Sequence, residues 1–180
     1  MKGIVFREFM NMVDLRFGEA MMDDVFDRTP LASGGVYTAV GTYEADELVR
    51  LVGALSNKTG LAESQLVFDF GQHLAAAFAV KFKGFFDECP NTFSFLKRID
   101  DHIHVEVMKL YPDAELPKFS YSQLNEDTFE LHYQSVRKLA DLAHGLIQGT
   151  MMHYGEQFDI SREDHSTYGA SSVLFRLRRV

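Results

Sequence analysis

The chain has 180 residues, a length that suits one domain, and 46% of them are apolar, enough to fill a core at that size. Its 26 acidic and 18 basic residues leave a net charge of −8, which repels phosphate backbones and anionic headgroups and argues against nucleic-acid and membrane partners. A single cysteine, Cys89, excludes an internal disulfide and a thiolate-built metal site and predicts a cytoplasmic protein, and no apolar run reaches the length of a signal peptide or a membrane span.

Ile4, Val5, Phe9, Met12, Val13 and Phe17 recur at helical spacing and predict an opening amphipathic helix that ends near Gly18. A short helix is expected over Ala20 to Phe26, a turn over Pro30 to Gly35, and loop or a brief extended stretch over Val36 to Thr42. Leu48, Leu51, Val52 and Leu55 place a helix over Ala45 to Leu55. Another is expected from Glu63 to about Phe82, interrupted in register by Gly71. Thr92 to Tyr111 predicts one long helix, which Pro112 cannot continue.

The period then changes. Lys118 to Gln123 and Thr128 to Gln134 alternate apolar and polar residues around Asn125-Glu126-Asp127 and predict a β-hairpin. A helix from about Lys138 to Tyr154 follows, then strands near Gln157 to Ser161 and Ser172 to Arg178. The sum is an α+β fold in one unit, a helical N-terminal part joined to a small antiparallel sheet with helices.

Hydrolytic chemistry has no footing here. No serine lies in a Gly-x-Ser-x-Gly setting, Cys89 stands beside two carboxylates, and Ser33-Gly34-Gly35 lacks the spacing and basic residue of a phosphate loop. The seven histidines show no chelating spacing, since His102 and His104 point about 200° apart on a helix. One helical histidine can still ligate a metal when a macrocycle supplies the other four donors, as in heme. On geometry either of the two could serve. His104 has Val107, Met108 and Tyr111 along its face, whereas His102 has Arg98, Glu106 and Lys109 but also Phe95 and Ile99. In an extended chain, Tyr133-x-Ser135-x-Arg137 forms a row of donors on one side, suited to a pair of carboxylates such as two propionates.

In their order and spacing these elements resemble the heme nitric oxide/oxygen binding family, H-NOX. The likeness covers essentially the whole chain: the Met1 to Phe6 opening, the His104 helix ending in Tyr111-Pro112, Leu116-Pro117, Tyr133-x-Ser135-x-Arg137, and Asp141 to Gly149. It implies a single H-NOX domain over 1–180, with a distal helical lobe of about 1–64, a proximal mixed lobe of about 65–180, and heme b between them. It implies that His104, seven residues before the Tyr of Tyr-Pro, is the axial ligand of the heme iron and that His102 is a bystander. Tyr133, Ser135 and Arg137 would hold the propionates, and Pro117 would press on the heme and help to distort it. Val5, Phe9, Leu74, Phe78 and Leu142 would complete the heme contacts.

The same resemblance carries an expectation about the ligand. Oxygen-binding relatives place a Tyr directly behind the Asp that here is Asp141, where this chain has Leu142; the other distal positions are Leu74 and Phe9. A donor in the distal pocket favours bound dioxygen, which gains superoxide character, far more than nitric oxide. A pocket of Phe9, Leu74, Phe78 and Leu142 has none, so nitric oxide and carbon monoxide are the expected ligands. Some bacterial relatives bind zinc near the C-terminus; Ile160 to Gly169 offers His165 without a cysteine, and no zinc is expected. Signalling is expected through loss of the His104–iron bond to a separate protein, a histidine kinase or a cyclic-di-GMP enzyme, with no catalysis in this chain. The rival readings are an oxygen sensor, a heme enzyme such as a peroxidase, and a heme-free binding protein of the same fold.

Overall fold

The computed structural model describes residues 1–180. Helix α1 (Gly3–Phe17) turns Phe6, Phe9, Met12 and Val13 inward, and α2 (Ala20–Asp27) adds Met22 and Val25. Helix α3 (Ala45–Thr59) contributes Leu48, Leu51, Val52 and Leu55, the stripe that its spacing predicts. With Leu66, Phe70 and Leu74 from the first half of α4 (Glu63–Lys81), these side chains form one continuous apolar core. The loop between α2 and α3 is held by a buried carboxylate. Glu47 accepts hydrogen bonds from the Ser33 N–H (3.1 Å), the Ser33 hydroxyl (2.5 Å) and the Tyr37 hydroxyl (2.7 Å), and the Tyr37 ring stacks on Phe6 at 4.4 Å.

A second core lies under the sheet. Strands β1 (Lys118–Gln123), β2 (Thr128–Ser135), β3 (Phe158–Asp164) and β4 (Ser171–Arg179) pair antiparallel in the order β1-β2-β4-β3. Phe129, Leu131 and Tyr133 stand opposite Leu177, Phe175 and Val173 and are buried, while alternate residues face outward. The short helices α5 (Lys83–Asp87) and α6 (Thr92–Lys97) and the helix α8 (Ala140–Tyr154) cover that inner face with Phe86, Phe93, Phe95, Ala143, Ile147 and Met151. Helix α5 was not expected from the sequence.

Helices α4 and α8 cross where both lack side chains. A Cβ on Gly71 would sit 2.4 Å from the Leu142 carbonyl oxygen, and one on Gly145 would sit 2.0 Å from that of Phe68 and 2.8 Å from the Gly71 Cα. Gly71 therefore does not break the helix. It lets the backbones touch, and so brings Leu142 of α8 into the core built by α1, α3 and α4.

The long helix expected over Thr92 to Tyr111 is divided. α6 ends at Lys97 with Arg98 as its cap, a π turn occupies Ile99–Ile103, and α7 runs over His104–Leu110. The Arg98 carbonyl accepts from both the His102 N–H (3.1 Å) and the Ile103 N–H (2.9 Å), so the hydrogen-bond ladder steps from four residues to five at this point. The apolar spacing of Phe95, Ile99 and Ile103 is compatible with either turn, which is why it predicted an unbroken helix.

Candidate functional site

His104 is the first residue of α7, directly after the π turn. Its Nδ1 lies 3.3 Å from Oδ1 of Asp100, one turn back, and its Nε2 makes no hydrogen bond with the protein. Burial pushes the imidazole's pKa below its ordinary value, against the opposing pull of Asp100. The ring is therefore neutral near pH 7, with Nδ1–H donated to the carboxylate and Nε2 free as a lone-pair donor. His102 has a different setting. Its side chain is 39% exposed against 18% for His104, and it packs edge-on to Phe85 at 6.0 Å with Glu88 3.7 Å away.

From His104 a row of rings leads to the sheet. The Phe119 ring is 5.8 Å from that of His104 and 5.6 Å from that of Tyr133. Tyr133 is buried; burial raises its pKa, so the phenol keeps its proton and donates to the Arg137 carbonyl at 3.3 Å. Here the structure departs from the extended row that the spacing predicts. β2 ends at Ser135, whose hydroxyl accepts the Arg137 N–H at 3.0 Å and closes a bend. Arg137 thus stands on the turn beyond the strand, and its guanidinium pairs with the carboxylate and carbonyl of Glu115, two residues before Pro117. Glu115 is 75% exposed, so a better-placed carboxylate could take its position at Arg137 without leaving a buried charge behind. Pro117 is half-buried at the start of β1.

The residues expected on the distal side come together as a group. Phe9, Leu74 and Leu142 are buried in the first core, and Val5 and Phe78 pack against it. Phe78 also packs against the second core, so the seam between the two runs past its ring. The polar neighbours of this group turn elsewhere. His73, next to Leu74, and Lys81 each lie 3.2 Å from the carboxylate of buried Glu8, which Asn11 also contacts. Burial pushes Glu8 up, but the hydrogen bonds from Lys81, Asn11 and His73 outweigh it and hold the carboxyl below its ordinary range. Asp100 and Glu115 were not singled out from the sequence. The only local signal was the spacing of four residues between Asp100 and His104, which any helical surface pair shares.

A neutral imidazole with a free Nε2, an aromatic wall and a cluster of hydroxyl and guanidinium donors are the groups that a single-histidine heme domain requires, and this chain has all of them. The haem-NO-binding family model matches residues 2–162. Among solved structures, the unliganded Fe(II) H-NOX protein from K. algicida is 32% identical with a TM-score of 0.92, covering 100% of this chain and 97% of that one. The H-NOX from Shewanella woodyi, solved in solution with IWP-051 bound in the Fe(II)CO state, is 37% identical with a TM-score of 0.85, covering 100% and 95%. The S. oneidensis protein in its Fe(II)NO state is 26% identical with a TM-score of 0.87, covering 99% and 100%. No curated protein matches the chain significantly. The chain belongs to the haem-NO-binding (H-NOX) family of heme-based gas sensors, and heme b is its cofactor. No helix is long and apolar enough to cross a membrane.

Proposed function

We propose that this chain binds heme through His104 as axial ligand, holds its carboxylates with Tyr133, Ser135 and Arg137, and senses nitric oxide and carbon monoxide but not oxygen. Heme supplies a ferrous iron with one open position for a diatomic ligand. Between a distal lobe of about 1–64 and a proximal lobe of about 65–180, the chain's own residues choose the ligand. Phe9, Leu74 and Leu142 in one core carry this reading, because none of the three offers an N–H or O–H to a bound superoxide-like oxygen and the Tyr37 hydroxyl of that core is turned to Glu47. Val5, Phe78 and Pro117 complete the apolar surround. Relatives support it in their own right: the S. woodyi and S. oneidensis proteins were solved in their Fe(II)CO and Fe(II)NO states.

His104 would be the protein's ligand to the heme iron, and it would be the residue released if bound nitric oxide weakened that bond. The π turn that precedes it breaks the regular four-residue ladder, and it is where α7 can shift once His104 is freed. The output passes to a separate protein, a histidine kinase or a cyclic-di-GMP enzyme, in the cytoplasm. No structural zinc is involved: His165 is exposed with Glu163 at 3.7 Å and no cysteine nearby, and finding one zinc per chain by metal analysis would overturn that point.

The deciding experiment is an absorption spectrum of the reduced protein in air and then with nitric oxide. The expected result is a strong Soret band, no lasting change in air, and conversion to a five-coordinate nitric oxide complex. A long-lived oxygen adduct would refute the ligand choice, and a complex six-coordinate at every nitric oxide level would refute release of His104.

A further inference from the structure

We propose that Asp100 is the positioning residue for His104, and that its charge sets the strength of the axial bond. This deepens the function proposed above and rests on His104 being the axial ligand. Oδ1 of Asp100 is 3.3 Å from His104 Nδ1 and also accepts the backbone N–H of Phe119 at 3.2 Å. One carboxylate oxygen on the π turn is thus held at once from α7 and from edge strand β1. The ring of that same Phe119 packs against His104, so the imidazole is fixed by a hydrogen bond on its edge and by an aromatic wall on its face.

Asp100 has no competing cation. Its only side-chain partner is the neutral His104 ring, whereas nearby Lys97 is engaged by Gln123 and Arg98 by Glu88. Asp101, the other acid of the turn, is exposed and makes no side-chain hydrogen bond, as an ordinary surface acid would. An ionised carboxylate on Nδ1–H pushes electron density to Nε2 and strengthens its bond to a metal. It also holds the ring in one orientation, so less entropy is lost when that bond forms. When His104 is released, Asp100 keeps its bond to Phe119, and the freed imidazole remains tethered beside β1.

The test compares heme-loaded, reduced protein carrying Asp100→Asn, Asp100→Ala, Asp100→Glu or the control Asp101→Asn. Resonance Raman reads the iron–histidine stretch, and stopped-flow absorption reads the rate of His104 loss on adding nitric oxide. Asp100→Asn keeps the shape and an acceptor but removes the charge. It should lower the stretching frequency and speed His104 loss about tenfold, the scale on which outer partners tune a ligand. Asp100→Ala should go further, Asp100→Glu should restore part of the effect, and Asp101→Asn should match the parent. Parent values in Asp100→Asn would overturn the proposal, and that variant decides it even where Asp100→Ala fails to fold. His104→Gly separates the two levels of inference. A Soret band that survives there without added imidazole removes the axial assignment itself. A band that disappears there, alongside a silent Asp100→Asn, removes only the role of Asp100.

Discussion

Lys2 Nζ lies 3.0 Å from Oδ1 of Asp113, and this pair ties the start of α1 to the segment that ends the His104 helix. Thr42, bridged to Lys2 as an isolated β-pair, donates to the other Asp113 oxygen at 2.6 Å, and Lys2 also lies over the Tyr111 ring at 5.1 Å. The contact spans 111 residues of chain and joins the helix that carries Phe9 to the segment after the helix that carries His104. A movement of α7 would pull on it.

Asp113 makes this latch pH-dependent. Hydrogen bonds from Thr42 and Lys2 hold its pKa down from the ordinary 3.8 to about 2. A carboxylate whose folded pKa is depressed adds stability that is full above the unfolded value and is lost as pH falls through the folded one. The latch is therefore intact above about pH 4 and lost towards pH 2. Asp113→Asn should melt at a lower temperature than the parent at neutral pH. The gap should be small, because the pair is partly exposed, and should close as the pH approaches 2. Equal melting temperatures across that range would show that the latch carries no stability.

Leu142→Tyr should move ligand preference towards oxygen. Leu142 is 9% exposed and shares a core with Phe9 and Leu74, so a phenol placed there stands among side chains that offer it no hydrogen-bond partner. A hydrogen bond to a charged acceptor contributes about 1.5–3 kcal/mol, enough to slow oxygen loss roughly tenfold or more. The expected observation is an oxygen spectrum that persists in air-exposed reduced protein, with nitric oxide still bound. A variant that oxidises as readily as the parent would count against an apolar pocket as the basis of selection.

The elements were legible wherever side-chain period alone decides structure. The stripe Leu48, Leu51, Val52, Leu55 and the alternation of Phe129, Leu131 and Tyr133 needed no partner to be recognised. The π turn was not legible, because one carbonyl at Arg98 shared by two N–H groups leaves no trace in the spacing of Phe95, Ile99 and Ile103. In the site, His102 and His104 stayed equivalent on geometry, and the burial that separates them comes from the fold, where Phe119 on another element packs against His104. The spacing put Arg137 in one extended row with Tyr133 and Ser135, because a serine hydroxyl that closes a bend looks, in sequence, like any outward polar residue. The Lys2–Asp113 latch joins residues too far apart for any local pattern to mark them.

Glu47→Ala should cost more than its position on an exposed-looking stretch of α3 suggests. Glu47 is 2% exposed, and its loss would leave the Tyr37 hydroxyl and the Ser33 N–H without their acceptor beneath the loop that precedes α3. Unmet buried partners cost about 1–3 kcal/mol each, so a loss on the order of 2–4 kcal/mol in chemical denaturation is expected. The Tyr37 hydroxyl, now held with its pKa pushed up to about 12 by burial and by this carboxylate, should titrate lower in the variant. An unchanged denaturation midpoint would mean that the loop is held by the stacking of Tyr37 on Phe6 alone.

Gly145→Ala tests the crossing that brings Leu142 to the distal group. The added methyl would meet the Phe68 carbonyl oxygen at 2.0 Å and the Gly71 Cα at 2.8 Å, both backbone atoms that cannot swing aside. The helices must separate, at a cost of about 1–3 kcal/mol for overpacking of this kind. Separation moves α8 away from α4 and so draws Leu142 from Leu74, loosening the pocket wall without changing a residue that lines it. Two results are expected together: a lower melting temperature, and carbon monoxide rebinding after flash photolysis that differs from the parent, since the packing around Leu142 is loosened. Gly84→Ala is the matched control, because a Cβ there meets nothing within 4 Å. A Gly145→Ala protein as stable as that control would show that the backbone contact yields easily, and Leu142 would then owe its place to side-chain packing alone.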